Sequence, residues 1–387
     1  MKANTATDLL IIGAGPFGLA IAADVQRRGL AAMVVGEPMG FWKRHMPRGM
    51  FLRSGVDWHL DTAEAWTISR FLESSGLTAT DVRPFPLEVY LDYVEWFAVQ
   101  TSLQIVPGEI VSLNRSVGGN GRFLATLGSG DTVTARNVVV AIGFANFAHV
   151  PPELADRLPA KRFDHTCTAV DLDALAGHRF LIVGGRQSAF EWAALLAEAG
   201  ARVDVAYRHE TPRFTESDWA WAGQLVQRFV QEPGWFRRLT STERDALARR
   251  FWEEGRLKLE PWLEARIRAG AVRLWPRREV VSTQLTATDA IAVRFQSGEV
   301  IEVDRLILAT GYRPNIKRVP FLTAGNLLSL VETSHDCPTL DDCMQSSVSG
   351  LYFTSLLATH DFGPFFAFTV SARAAATLIG QDLSNRT

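Results

Sequence analysis

The stretch DLLIIGAGPFG, Asp8–Gly18, decides how the rest of the chain is read. Leu9–Ile12 form an apolar run that enters a turn carrying Gly13, Gly15 and Gly18, and a helical pattern follows in which Ile21 and Val25 share a face. Each glycine has its own reason. Gly13 makes the tight turn after the strand, Gly15 leaves bare backbone for a pyrophosphate, and Gly18 lets the helix pack closely on the strand. Pro16 and Phe17 complete the turn, and the helix N–H groups and dipole receive phosphates. Gly29 stands where the helix stops, and a second apolar run, Ala32–Val35, leads to Glu37. That carboxylate lies about 20 residues beyond Gly18, as a ribose-binding acid does. The glycine pattern alone is weak, but strand, helix and acid together favour an adenine dinucleotide site over a turn that binds nothing.

The same plan recurs downstream. HRFLIVGGRQSAFEWAALLAEAGARVDVAYR, ending at Arg208, again reads strand, glycine turn, helix and strand. LILATG at Leu306–Gly311 echoes VVVAIG at Val138–Gly143. The final stretch, Gly350–Gly380, returns to an apolar strand and a long helix, which is expected to rejoin the first unit. The fold class expected is α/β, with two Rossmann-like dinucleotide-binding domains, the second inserted into the first. Residues 1–152 and 305–387 form the first, 153–304 the second, with a helical Trp-rich insertion at about 209–270.

The second turn departs from the first. Aligning Gly184 with Gly13 puts Arg186 in the place of Gly15 and Ala189 in that of Gly18. A side chain at 186 crowds the pyrophosphate seat, unless its guanidinium reaches outward and forks onto the phosphates. The counterpart of Glu37 is Arg208. An arginine there removes ribose recognition and favours a 2′-phosphate, hence NADPH over NADH; the plain alternative is a solvated strand-end arginine.

Between these units, Met39–Leu60 is irregular and dense in chemistry, with Trp42, Arg53, Asp57, Trp58 and His59. Such a loop serves a ligand or packs its own aromatics on the surface. Leu87–Gln100 has a helical period whose aromatics read as core. Segments 104–106, 109–113 and 122–127 read as a small antiparallel sheet. In the insertion, Thr240 with Glu243 suits a capping box, and Pro261 and Gly270 bracket another helix. Its aromatics read as core or interface rather than as the floor of a pocket.

With 387 residues the chain suffices for two or three domains. A net charge of -2 with 21% charged residues gives no strong nucleic-acid field. No apolar run approaches the ~18 residues of a spanning helix, and MKANTAT leads into the first strand without a signal-peptide core. A cytoplasmic protein without nucleic-acid or membrane partners is expected. Cys167, Cys337 and Cys343 form no CxxC pair, which argues against a disulfide scaffold and a dithiol reductase.

The two glycine turns in this order, ILATGYRPN at Ile307–Asn315, and PTLDDCMQSSVSGLYFTSLLATHDFGPFFAF from Pro338 together resemble the class B flavoprotein monooxygenases. Within them the chain is similar to the lysine and ornithine N-hydroxylase branch and related short proteins. The resemblance spans nearly the whole chain. It implies FAD in the first fold and NADPH in the second. Gly13, Gly15, Gly18 and Glu37 would then hold the ADP half of FAD, with Trp42, Arg53 and Asp57 near the flavin. Gln187, Ser188 and Arg208 would face NADPH, with Gly143, Gly184, Arg186, Gly311 and Tyr312 at the strand ends and turns around the cofactors. The implied reaction is oxygenation of a small nucleophilic N or S substrate through a flavin C4a adduct of oxygen, with no metal. Arg53, Asp57 and His59 are the catalytic candidates on the flavin side, with His360 and Asp361 from the C-terminal strand. A helix beginning near Pro364 would aim its dipole at the flavin carbonyls. The FxGxxxHxxxW fingerprint of the ketone-oxygenating branch cannot be laid on His165, because Pro159 and Lys161 occupy its Phe and Gly positions. Rival readings are a flavin oxidase or dehydrogenase acting without NADPH, and a non-catalytic flavin-binding protein. A homo-oligomer would follow from exposed aromatics on the insertion.

Overall fold

A computed structural model describes residues 4–116, 121–159, 162–172 and 175–386; Lys161 lies outside these. Strand β1 (Asn4–Ile12) buries Leu9–Ile12 and feeds α1 (Pro16–Arg27), where Pro16 occupies a first-turn position whose amide has no helical acceptor. Strand β2 (Ala32–Val35) returns parallel to β1, with Leu9 opposite Ala32. Helix α2 (Leu87–Gln100) buries Tyr90, Tyr93, Val94 and Phe97, the apolar side of its period. The next strand corrects the expectation for 104–106. Strand β3 (Ile105–Val106) pairs parallel with β2, Val34 opposite Ile105, and takes no part in the antiparallel segment. It follows a crossover helix, and such a connection delivers a parallel strand.

Strands β4 (Ile110–Arg115), β5 (Phe123–Leu127) and β6 (Thr132–Val140) are the antiparallel run. Strand β6 also pairs parallel with β1 along its length. Its last residues, Val138–Val140, are joined from the far end of the chain by a strand at Leu351–Phe353. The first sheet therefore has seven strands, ordered β3-β2-β1-β6-β5-β4, with that late strand on β6.

The second sheet is all parallel. It begins with β7 (Phe163–His165) and β8 (Arg179–Val183), followed by α3 (Gln187–Glu198) and β9 (Arg202–Tyr207). Insertion helices α4 (Ala220–Gln231), α5 (Ser241–Arg256) and α6 (Trp262–Ala269) precede β10 (Val272–Pro276). An antiparallel flap, β11 (Val280–Leu285), β12 (Ile291–Phe295) and β13 (Val300–Val303), leads to β14 (Arg305–Leu308). The order is β10-β9-β8-β14-β7. Because β14 pairs with β8, the chain leaves the second sheet beyond Leu308, so placing 305 onward in the first unit is corrected. Strand β15 (Leu351–Phe353) and helix α7 (Ala372–Asn385) then complete the first sheet and cover α1.

The insertion spans two cores. Trp221, Phe229, Trp235, Phe236 and Phe251 join the core of the first sheet, whereas Leu259, Leu263 and Ile267 join that of the second. Phe229 stacks on Phe362 at 5.6 Å and meets Phe366 edge-on at 4.8 Å, so DFGPFF is the surface on which the insertion docks. Thr240 and Glu243 form the expected capping box at the start of α5. Among the described residues no helix is long and apolar enough to cross a membrane.

Candidate functional site

A cleft of about 1420 Å³ runs between the two sheets and is lined by both glycine turns. Gly13 has φ +115°, and a Cβ there would strike the Ala141 carbonyl; a Cβ on Gly18 would strike the carbonyl of Gly13. Both are glycine for reasons internal to the fold. Gly15 differs: it lines the cleft, and beyond its own chain neighbours no described atom lies within 4 Å of where its Cβ would stand. Its bareness leaves backbone open to the cleft. The start of α1 has no side-chain cap, so its first-turn amides are left for a ligand. Glu37 lines the same end of the cleft and faces Arg44 at 2.8 Å, an exposed pair of little energetic weight. These features fit the phosphate and ribose of a dinucleotide.

Gly143, Gly311 and Tyr312 line the middle of the cleft. The Gly311 carbonyl accepts from the His149 amide at 2.9 Å and lies 3.0 Å from His165 Nε2. Tyr312 packs against Phe144 and His165. Burial pushes the Tyr312 phenol up and the His165 imidazole down, which favours the neutral form of each. Trp42 also lines the cleft and leans on Tyr90 at 5.1 Å.

At the second turn, Gly184 has φ +146° and, like Gly13, sits against the neighbouring strand end, here Ala309. Arg186 begins α3 in extended backbone, and its guanidinium turns toward α5. There Nη1 donates to the Arg256 carbonyl at 2.7 Å and the group lies over the Trp252 ring at 4.4 Å. Burial, with Arg256 beside it, pulls Arg186 down to about 10. Ser188 and the exposed Arg208 line the cleft, and so does Arg278, which no sequence pattern marked. Gln187 does not line it. Its side chain donates to Glu191 at 3.3 Å and accepts from the Glu260 amide at 3.1 Å.

The five catalytic candidates are not brought together, and none lines the cleft. Arg53 pairs with Glu260 at 2.7 Å, donates to the Gly255 carbonyl at 2.7 Å and binds Ser217, fastening the loop to the insertion. Arg373 of α7 donates to the Asp57 carbonyl at 3.2 Å and lies 3.0 Å from His59 Nε2. Burial, then Arg373, hold His59 down at about 4. His360 packs against His335 with ring centres 4.7 Å apart, and Asp361 accepts from the Leu340 amide at 2.8 Å. Pro364 opens a short 3-10 turn, Pro364–Ala367, and the long helix starts only at Ala372, so the dipole placed at Pro364 is corrected. The cleft is instead walled by Phe41, Met46 and Ser54 from the dense loop, and by Phe368 and Thr369. Ser54 Oγ and Thr369 Oγ1 lie 3.4 Å apart on its wall, within hydrogen-bond reach of each other. Ser54 adjoins Arg53 in sequence, but only the direction of its side chain distinguishes it, and that is a tertiary property.

The pyridine nucleotide-disulphide oxidoreductase family matches residues 10–229, more than half of the chain. The chain belongs to this family. It is 27% identical over 242 residues to a FAD-dependent urate hydroxylase of Xanthomonas campestris pv. campestris, covering 58% of this chain and 50% of that one. It is 27% identical over 345 residues to the indole-3-pyruvate monooxygenase YUCCA1 of Oryza sativa subsp. japonica, covering 79% and 77%. The chain spans about half the length of the urate hydroxylase and of several ferredoxin–NADP reductases that it also matches. The fold is that of the ornithine N-hydroxylase of Kutzneria sp. 744, with TM-score 0.81, 16% identity, and 98% and 99% of the two chains covered. In this member of the pyridine nucleotide-disulphide oxidoreductases all three cysteines are free and none lines the cleft. Among the described residues no group of three or more His, Cys, Asp or Glu could hold a metal ion.

Proposed function

We propose that the chain is a cytoplasmic FAD-dependent, NADPH-using monooxygenase that oxygenates a small nucleophilic N or S substrate. The observation that carries this reading is the single cleft reaching both glycine turns, so that a flavin held at one and a nicotinamide held at the other would meet in it. The Gly13–Gly18 turn and Glu37 would hold FAD. Ser188 and Arg208, with Arg278, would hold NADPH, the two arginines answering its 2′-phosphate. Bound there, the flavin supplies hydride acceptance and oxygen activation. This chain's own side chains do the rest. Phe41, Trp42, Met46, Phe144 and Phe368 make the walls apolar and exclude water. The Ser54 and Thr369 hydroxyls, hydrogen-bonded to each other on the cleft wall, leave one hydroxyl hydrogen free to donate into the cleft. The hydroxylase and monooxygenase names carried by similar proteins support the same class.

The test is an anaerobic titration of the yellow protein with NADPH and, separately, NADH, following loss of the oxidised flavin absorbance. Fast bleaching by NADPH, followed on admitting oxygen by stoichiometric oxygenated product with a matching amine or thioether, is the expected result. Bleaching by an organic substrate without nucleotide would replace this reading with an oxidase or dehydrogenase. No reduction by any donor would leave a flavin-binding protein without turnover.

A further inference from the structure

The last turn of α5 is gripped from both folds. From the first, Arg53 donates to the Gly255 and Glu254 carbonyls at 2.7 and 3.4 Å and pairs with Glu260. From the second, Arg186 donates to the Arg256 carbonyl at 2.7 Å. Both cations cap the negative end of the helix dipole, which strengthens the grip. It holds two side chains of that turn, Trp252 and Arg256, on the cleft wall. Trp252 carries the Arg186 guanidinium over its ring and is still 48% exposed.

Arg256 is the unusual member. Among the described residues its guanidinium makes no hydrogen bond and no ion pair. The charges around it are the cations of Arg53 and Arg186. Arg53 is answered by Glu260. Arg256 is not, and burial, then Arg53, pull it below the usual arginine range. Arg256 is half-buried on the cleft wall, so its unanswered guanidinium stays open to the cleft and can take an anion that arrives from outside. It stands beside the second glycine turn, where Arg186 has displaced the bare backbone that would otherwise meet phosphate.

We propose that Arg256, assisted by Arg186, is an oxoanion seat that the helical insertion brings to the second glycine turn. A planar guanidinium forks onto phosphate or carboxylate oxygens alike. The occupant is the pyrophosphate of the nicotinamide dinucleotide or a carboxylate of the organic substrate. The identity of that occupant rests on the function proposed above; the seat itself does not.

The test is titration calorimetry on the full-length flavoprotein with inorganic pyrophosphate, NADP⁺ and benzoate, in the wild type, Arg256→Gln and Arg256→Lys. Pyrophosphate is expected to bind the wild type, with affinity lost roughly ten- to a hundredfold in Arg256→Gln and partly kept in Arg256→Lys. A parallel loss for NADP⁺ with benzoate unbound assigns the seat to the dinucleotide. A loss for benzoate with NADP⁺ unchanged assigns it to a substrate carboxylate. Equal binding of all three probes by wild type and Arg256→Gln overturns the seat, as does a wild type that binds none. A second measurement needs no variant: pyrophosphate should protect Arg256 from phenylglyoxal, read by peptide mass, and absence of protection also overturns it. Neither readout requires turnover, so failure of the seat and failure of the monooxygenase reading are told apart.

Discussion

Replacing Arg53 by Ala distinguishes a fastening role from a chemical one at a residue whose sequence position suggested the flavin. Its side chain is 18% exposed, and that of Glu260, 2.7 Å away, is 9% exposed. The same guanidinium donates to the Gly255 and Glu254 carbonyls and to Ser217. Removing one partner of a buried pair costs about 3–5 kcal/mol, because the other charge is left desolvated. This pair is not fully sealed, so the low end, about 3 kcal/mol, is expected. At roughly 1–2 °C per kcal/mol for a chain of 387 residues, the melting midpoint should fall by about 3–6 °C. The assay is thermal melting followed by release of flavin fluorescence, with limited proteolysis across 209–270. Cleavage should appear in the insertion, and flavin reduction below the new midpoint should persist. A midpoint unchanged within about 1 °C, together with lost flavin reduction, would refute the fastening role and return Arg53 to the chemistry.

Three further outcomes follow from the same geometry. Gly15→Ala meets open space and extended backbone, so the midpoint of the flavin-free protein should hold while FAD content after purification falls; Gly18→Ala drives a Cβ into the Gly13 carbonyl and should cost about 1–3 kcal/mol in urea unfolding. Arg208→Glu removes the exposed cation beyond β9, so the NADPH-to-NADH preference in stopped-flow flavin reduction should drop roughly ten- to a hundredfold with stability unchanged. Burial, then Arg373, hold His59 at about 4 rather than 6.5, so between those values the unfolded chain binds more protons. Its contribution is present above pH 6.5 and lost as the pH falls toward 4, by up to about 3 kcal/mol. The difference in urea stability between wild type and His59→Gln should carry that slope, and parallel pH profiles would remove His59 as its source.

By itself the sequence determined the two β-α-β units, the repeat, the late return of the chain to the first sheet and the glycine turns. Those features rest on local patterns: an apolar run feeding glycines, a period of 3.6, a cap. Gly13, Gly15 and Gly18 were legible for this reason, and so was the capping box of Thr240 and Glu243. Where the local signal was short it failed. Ile105–Val106 has too few residues to show a direction, and Arg305–Leu308 reads equally well as the last strand of one sheet or the first of another. Side-chain direction on irregular backbone was decided only by the tertiary structure. Arg53, Asp57 and His59 share a loop with Ser54, yet the Arg53 side chain turns to the insertion and that of His59 to α7, Asp57 meets α7 through its carbonyl, and Ser54 lines the cleft. Within Arg53–His59 it is Ser54, and not the three catalytic candidates, that lines the cleft. Arg256 carried no signal at all, since it ends an exposed-looking charged helix. Its isolation arises because Arg53 and Arg186, 133 residues apart, close on the same helical turn from two folds, and a charge is desolvated by what surrounds it in space.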